Sequence, residues 1–478
     1  MNKPLLLSLL CLLGSSACAM IPTLPSAQAP IPATWQEVKS IDAAPPDGAN
    51  STAQQPWRQF YRHALWQEVI DTALTNNRDL QAAVARMAKA KALLGISAAQ
   101  RLPSLQANLQ HQETRTPADL SQTGNHTVIA REDLQVALPA FELDFWGRVN
   151  ALHEAAKATY LANAESVQAV RILLIAQVVE SLVTWRELAE KTALSQQRLA
   201  VQKELLELLG ERKQVGITSA QSHWQAVLAW EEAKAALADL QRQEGVARHA
   251  LQLLTGHNWD PDRHWPLLEE LLLSDVVPSG MPASALALRP DVRAAEFRLR
   301  AANADIGAAR AAFWPRIHLT SSVGLASAGL QGLFQSGATA WSFLPAIELP
   351  IFDAGQRRLT QEAAEAEQTA LLAEYEKVIQ QAFREVADGL SARKALTEHL
   401  QALKNSHQAQ LARQQLLHDR WQVGVDSKQE FLQQQLALYG SEQQLRSLER
   451  HILVNQAGLY KALGGGTEKA DEEQSTSP

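Results

Sequence analysis

The sequence predicts a mainly α fold with a membrane β-barrel portion, built as two structural repeats in one chain. Three observations carry this. First, Arg148 to Gln214 forms one helical pattern with no proline and Gly210 as its only glycine. At 1.5 Å per residue that pattern is roughly 100 Å long. Second, residues in the two halves of the chain recur at an offset that stays constant within each of two long blocks. Third, two segments in each half leave the helical period for alternation, the signature of strands with one apolar face.

The repeat is read first because it sets the architecture. Gly147, Glu154-Ala155-Ala156, Gln214-Val215-Gly216, Ser219, Gln221 and Gly256 recur 208 residues later as Gly355, Glu362-Ala363-Ala364, Gln422-Val423-Gly424, Ser427, Gln429 and Gly464. Upstream, Asp79, Ala82-Ala83, Arg86, Gly95 and Pro103 recur 212 residues later as Asp291, Ala294-Ala295, Arg298, Gly307 and Pro315. Identities that keep one offset through helix, strand and turn mark two copies of one unit.

The chain has 478 residues and a formal net charge of −7. No basic stretch points to a nucleic-acid partner. The apolar run Leu5–Leu13 follows Lys3 and is too short to span a bilayer, so residues 1–17 are expected to be a secretory signal. The two cysteines, Cys11 and Cys18, lie in or beside it. Cys18 follows Ser15-Ser16-Ala17, small residues that resemble a lipobox with Ser15 in place of the usual leucine. That makes Cys18 a candidate lipidation site. The run Ala17-Cys18-Ala19 also fits an ordinary A-x-A cleavage site.

Residues 18–56, rich in proline, alanine and serine, are expected to form a tether. The first repeat is placed at 57–256, with an amphipathic piece from Trp57 to Asn77, then a helix introduced by NNRDL that runs to about Arg101 and ends at Leu102-Pro103. Leu105, Ala107 and Leu109 then alternate with polar residues. So do Ile317, Leu319, Val323 and Leu325 in the second copy, and Trp341, Phe343, Ile347 and Leu349 share a face in its return strand. In the first copy's return strand the phase slips: Leu134, Val136 and Leu138 fall on one face, Phe141 and Leu143 on the other. A bulge or twist at Pro139 would reconcile them. Trp146, Trp314 and Trp341 are candidate membrane-interface aromatics. The long helices carry too many charges to be spans. They are expected to pack side by side with helices at 64–101 and 219–255, each roughly 57 Å long. Four strands cannot close a barrel, and an open edge in lipid leaves backbone groups unpaired, so the chain must oligomerise if the strands meet lipid.

Residues 257–282 are expected to be an equatorial insert, 283–464 the second repeat, and 465–478 a disordered tail. His257, Asp260, Asp262 and His264 suit surface turn chemistry around Pro261 better than a metal site. HExxH, GxxxxGK[ST], GxSxG and CxxC are all absent, so no catalytic role, cofactor or metal is expected. Function is expected to reside in surfaces and a bore. The sharpest positions are the two reversals at Val215-Gly216 and Val423-Gly424, where a glycine of positive φ ends a long helix. Charged groups near them could close or select at a pore.

The pattern resembles the TolC-like outer-membrane efflux proteins, in the lipoprotein branch of the OprM and NodT type. The resemblance runs from about Trp57 to Gly466. It is carried by Cys18, NNRDLQAA (Asn76 to Ala83), FELDFWGR (Phe141 to Arg148), LPIFDAGQRR (Leu349 to Arg358), VGVDS (Val423 to Ser427) and YKALGGG (Tyr460 to Gly466). It implies a homotrimer in which a twelve-stranded β-barrel, four strands per chain, continues an α-helical barrel. It also implies a lipid-anchored place in the outer membrane with a long periplasmic portion. The chain would be the exit duct of a tripartite pump for drugs or other small solutes. Its partners would be a periplasmic adaptor docking at the tips and an inner-membrane transporter of RND type. Gate candidates at the second tip are Trp421, where some family members carry tyrosine, Asp426, and Glu430 and Gln433, which stand at positions matching family aspartates. Glu430 stands either in a bore-facing ring or in a pair with Arg420 or Lys213. A polypeptide-secretion duct and a periplasmic coiled-coil scaffold are the rival readings.

Overall fold

The computed structural model describes residues 20–32, 56–122, 124–273 and 283–465. The expected signal segment with Cys18, residues 33–55 of the expected tether, residues 274–282 of the expected insert and the expected tail from residue 466 lie outside them. In chain order the helices are α1 (Trp57–Phe60), α2 (Ala64–Asn76), α3 (Arg78–Ala99), α4 (Arg148–Gln214), α5 (Ala220–Thr255), α6 (Pro290–Ala311), α7 (Gln356–Gln422) and α8 (Lys428–Ala462). The strands are β1 (Gln106–Thr116), β2 (Thr127–Leu143), β3 (Arg316–Ser327) and β4 (Thr339–Glu348). Each copy runs helix, strand, strand, long helix, helix, and α4 and α7 are both 67 residues long.

The chain divides into two compact units. Among the described residues, the first holds 20–28, 86–122, 124–164 and 294–376. Its centre is one antiparallel sheet in the order β1-β2-β3-β4. In the first copy the Asp144 carboxylate starts the helix after the sheet, accepting from the amides of Val149 (3.1 Å) and Asn150 (2.8 Å). Asp353 does the same in the second copy for Gly355 and Arg357, both at 3.1 Å. These carboxylates satisfy N-terminal N–H groups that have no intrahelical partner. An N-terminal strap crosses this unit. Ile21 lies against Gly307, the Pro22 carbonyl accepts from Asn303 Nδ2 at 2.7 Å, and the Gln28 amide donates to Glu376 at 2.8 Å.

Among the described residues, the second unit holds 29–32, 56–85, 165–273, 283–293 and 377–465. Its core gathers Trp57, Phe60, Tyr61, Trp66, Val69 and Ile70 against Leu174, Ile175, Val178, Val179, Leu182 and Val183 of α4, with Leu453 and Tyr460 of α8. One stretch of α4 is apolar enough by length and composition to cross a membrane, and 39% of it is buried inside the protein. The insert packs onto this core. Trp265 meets Trp185 edge-on at 4.7 Å, the Leu268 amide donates to Glu190 at 3.0 Å, and Asp260 accepts from the Asp262 amide in a side-chain turn.

The 64–101 span, counted in the sequence as one length of helix, is two helices that part at Asn77, where the amphipathic piece was expected to end; Asn77 is extended (φ −63°, ψ 127°). Its Oδ1 accepts from the Leu80 amide, and its Nδ2 donates to the Leu254 carbonyl, both at 3.0 Å. An asparagine that caps α3 and binds the end of α5 gains more there than from one more helical turn.

Candidate functional site

Two regions carry the candidate residues: one face of the sheet in the first unit and the two hairpin turns in the second.

Register decides the sheet face, because Cα partners across an antiparallel ladder point the same way. Leu109, Leu134 and Leu325 form one row; Ala107, Val136, Val323 and Trp341 form the next. Leu138, Ser321 and Phe343 follow, then Phe141, Leu319 and Pro345, then Leu143, Ile317 and Ile347. The rows stay in phase only because the β2 register shifts between Leu138 and Phe141. Pro139 and Ala140 make that bulge. Pro139 has no N–H to leave unpaired, Ala140 takes φ +37°, and its amide donates to Thr320 Oγ1 at 3.3 Å. The bulge returns Phe141 and Leu143 to the apolar face. The opposite face carries Gln106, Asn108, Gln110, Gln135, Thr320, Ser322 and Ser342, with Leu344 as an apolar exception.

The apolar face is open: Val323 is 59% exposed, Phe343 60%, Ile347 72% and Trp341 76%. Both sheet edges, β1 and β4, lack a strand partner among the described residues. The three candidate interface tryptophans occupy two levels. At the foot of the sheet Trp146 stacks on Trp314 (centroids 4.8 Å apart), and its Nε1 donates to the Pro315 carbonyl at 2.7 Å. Trp341 lies at the other end, opposite Val323. From Pro315 to Val323 is about 26 Å along the strand at ~3.3 Å per residue. A tilt of ~40° leaves about 20 Å, near the ~25 Å apolar band of an outer-membrane barrel.

The two turns are built alike. Gly216 and Gly424 take φ +77° and +78°. The Ile217 amide donates to the Arg212 carbonyl (2.8 Å), and the Val425 amide to the Arg420 carbonyl (2.9 Å). This six-to-one closure needs a left-handed residue, and glycine adopts that conformation without steric cost. The next helices start on matched caps, Ser219 accepting from the Ser222 amide and Ser427 from the Glu430 amide. With their backbones satisfied, the turns present apolar side chains outward: Val215, Ile217, Val423 and Val425 are 62–75% exposed. Ile217 and Val425 were not among the sequence candidates. Their signal is a second β-branched residue directly after each Val-Gly.

The gate candidates separate. Trp421 stacks on Phe431 (5.4 Å, planes 7° apart), and His418 flanks both rings. Asp426 pairs with Arg420 through two hydrogen bonds, 2.6 and 3.0 Å, and those bonds hold its carboxyl below the usual range. Glu430 is exposed and turns back to accept from the Ser427 amide at 3.2 Å, completing a capping box. Within the single chain the Glu430 carboxylate serves this cap and makes no ion pair with Arg420 or Lys213. Arg420 is taken by Asp426, and Lys213 lies over the Trp224 ring. Gln433 is exposed on α8. The two turns also hold each other: Arg212 donates to Gln429 (3.3 Å), and Lys428 pairs with Glu204 at 2.5 Å.

The profile of the Outer membrane efflux protein family matches residues 69–257 and 281–465. The chain is 36% identical over 450 residues to the probable efflux pump outer membrane protein TtgC of Pseudomonas putida, covering 94% of this chain and 93% of that one. It is 38% identical over 466 residues to outer membrane protein OprJ of Pseudomonas aeruginosa, covering 96% and 95%. The open-state MtrE outer membrane channel of Neisseria gonorrhoeae superposes with a TM-score of 0.81 at 32% identity, over 94% of this chain and 98% of that one. With two strand pairs, two long-helix hairpins and matches of this extent along nearly the whole chain, the protein belongs to the outer membrane efflux protein family.

Proposed function

We propose that the protein is the outer-membrane exit duct of a tripartite efflux pump, conducting drugs or other small solutes passively. The observation that carries this is the sheet with one apolar face and two open edges. In hydrocarbon each unpaired backbone group costs several kcal/mol, so four such strands need further copies to close. Three chains supply twelve strands, within the range of membrane barrels, with the polar face lining the bore. A periplasmic adaptor docks on the exposed Val215, Ile217, Val423 and Val425 of the tips, and an inner-membrane transporter of RND type supplies the energy. The outer-membrane placement is reinforced by a lipid on Cys18.

Purified protein in planar bilayers tests this. The expected result is a heat-sensitive trimer that conducts across the membrane. A monodisperse monomer in detergent that forms no conducting species would overturn the duct and favour the scaffold reading.

A further inference from the structure

The foot of the sheet borders an open cavity of about 710 Å3 that neither conduction nor docking at the tips uses. Its wall is apolar: Phe141 and Leu143 at the end of β2, Phe145, Trp146 and Val149 at the junction with α4, and Met20 and Ile21 from the N-terminal strap. The carboxylates that border it are already engaged. Glu142 binds Arg148 through two hydrogen bonds (2.6 and 2.9 Å), and Asp144 holds the first amides of α4. What remains for a ligand is aromatic and aliphatic surface, with the exposed Arg101 at the border. A wall of this composition and a volume of several hundred cubic ångströms suit a long hydrocarbon chain.

The strap says which one. Met20 is part of the wall, and it is the first described residue. It cannot drift, because the strap behind it is seated: a Cβ on Gly307 would lie 2.6 Å from Ile21 Cγ1, and Asn303 and Glu376 bind Pro22 and Gln28. Cys18 is two residues upstream, within about 7 Å of Met20 even on a fully extended chain. We propose that the cavity is a cradle for a fatty-acyl chain carried by Cys18, so that the lipid anchor lies against the foot of the sheet at the level of Trp146. This rests on the reading that Cys18 is acylated.

The test uses full-length protein from cells fed a palmitate analogue with a photoreactive diazirine. Intact mass reports whether Cys18 carries the acyl group; irradiation and peptide mapping report where it lies. The expected result is an acylated protein cross-linked mainly within residues 141–150. Phe145→Ala, at an exposed position, should lower that yield severalfold while trimer and conductance persist. Acylated protein cross-linked elsewhere on the apolar face, or only to bulk lipid, overturns the cradle and leaves the anchor intact. Cross-links at the foot that persist in Cys18→Ser overturn it in favour of a membrane phospholipid. A wild type without the acyl mass removes the anchor and the cradle together.

Discussion

Leu319 is the most demanding position at which to test the membrane face. It lies on the apolar row with Phe141 and Pro345, about midway between the foot tryptophans and the Trp341 level. Arginine there places a charge near the bilayer midplane, at a cost of about 2–4 kcal/mol per chain. That corresponds to roughly 30- to 1,000-fold in the folding equilibrium, and each chain of an oligomer bears it. Val323→Arg, on the same face but at the Trp341 level, should cost only about 0–1 kcal/mol because the interface is near water. Ser322→Arg, one residue away on the polar face, loses the Ser322–Ser342 hydroxyl contact of 2.7 Å, worth about 1 kcal/mol. Denaturant titration of the protein folded into lipid vesicles, alongside the heat-modifiable oligomer on gels, measures the three. The reasoning fails if Ser322→Arg costs as much as Leu319→Arg, which would remove the distinction between a lipid face and a polar face. It fails equally if Val323→Arg matches Leu319→Arg, which would remove the depth dependence a bilayer imposes.

Three further outcomes follow from the tips and from the start of the second repeat. Asp426→Ala with Glu430→Ala should raise resting conductance in planar bilayers and leave ion preference unchanged, since one side chain pairs with Arg420 and the other caps α8; a lost cation preference would restore a bore-facing ring. Gly216→Ala or Gly424→Ala forces a side chain into the left-handed region at about 1–2 kcal/mol, so either should lower the melting temperature and weaken resistance to pump substrates; an unchanged melt would mean the turn relaxes. Asp291 is pushed up by burial, but hydrogen bonds and charge from Arg289 outweigh this and hold it below the usual range. Its stabilisation is therefore present above the unfolded value of about 3.9 and lost as pH falls through the lower folded value. Asp291→Asn should cost about 1 kcal/mol at neutral pH, discounted for the carboxylate's 40% exposure, and converge with wild type in strong acid; a constant difference would refute the linkage.

Much of this architecture was legible in the sequence because it depends on local periodicity. The 3.6-residue pattern marked the long helices, the two-residue pattern marked the strands, and the constant offset marked the copies. The two Val-Gly reversals were legible too, since a left-handed residue after a helix favours glycine whatever surrounds it. Pro139 showed that the phase of β2 had to slip, but only pairing with β3 located the extra residue. Tertiary partners decided the rest. The boundary at Asn77 was legible, but its partner across the fold, the Leu254 carbonyl, was not. Gly95 and Gly307 are repeat equivalents in sequence, yet a Cβ would meet nothing at Gly95 and would strike Ile21 at Gly307, because only the second copy carries the strap. Near the second tip, charge alone leaves Asp426 and Glu430 interchangeable. Side-chain direction separates them, sending Asp426 to Arg420 and folding Glu430 onto its own helix cap. A repeat specifies which elements form and in what order; the partner each side chain meets depends on what the fold brings beside it.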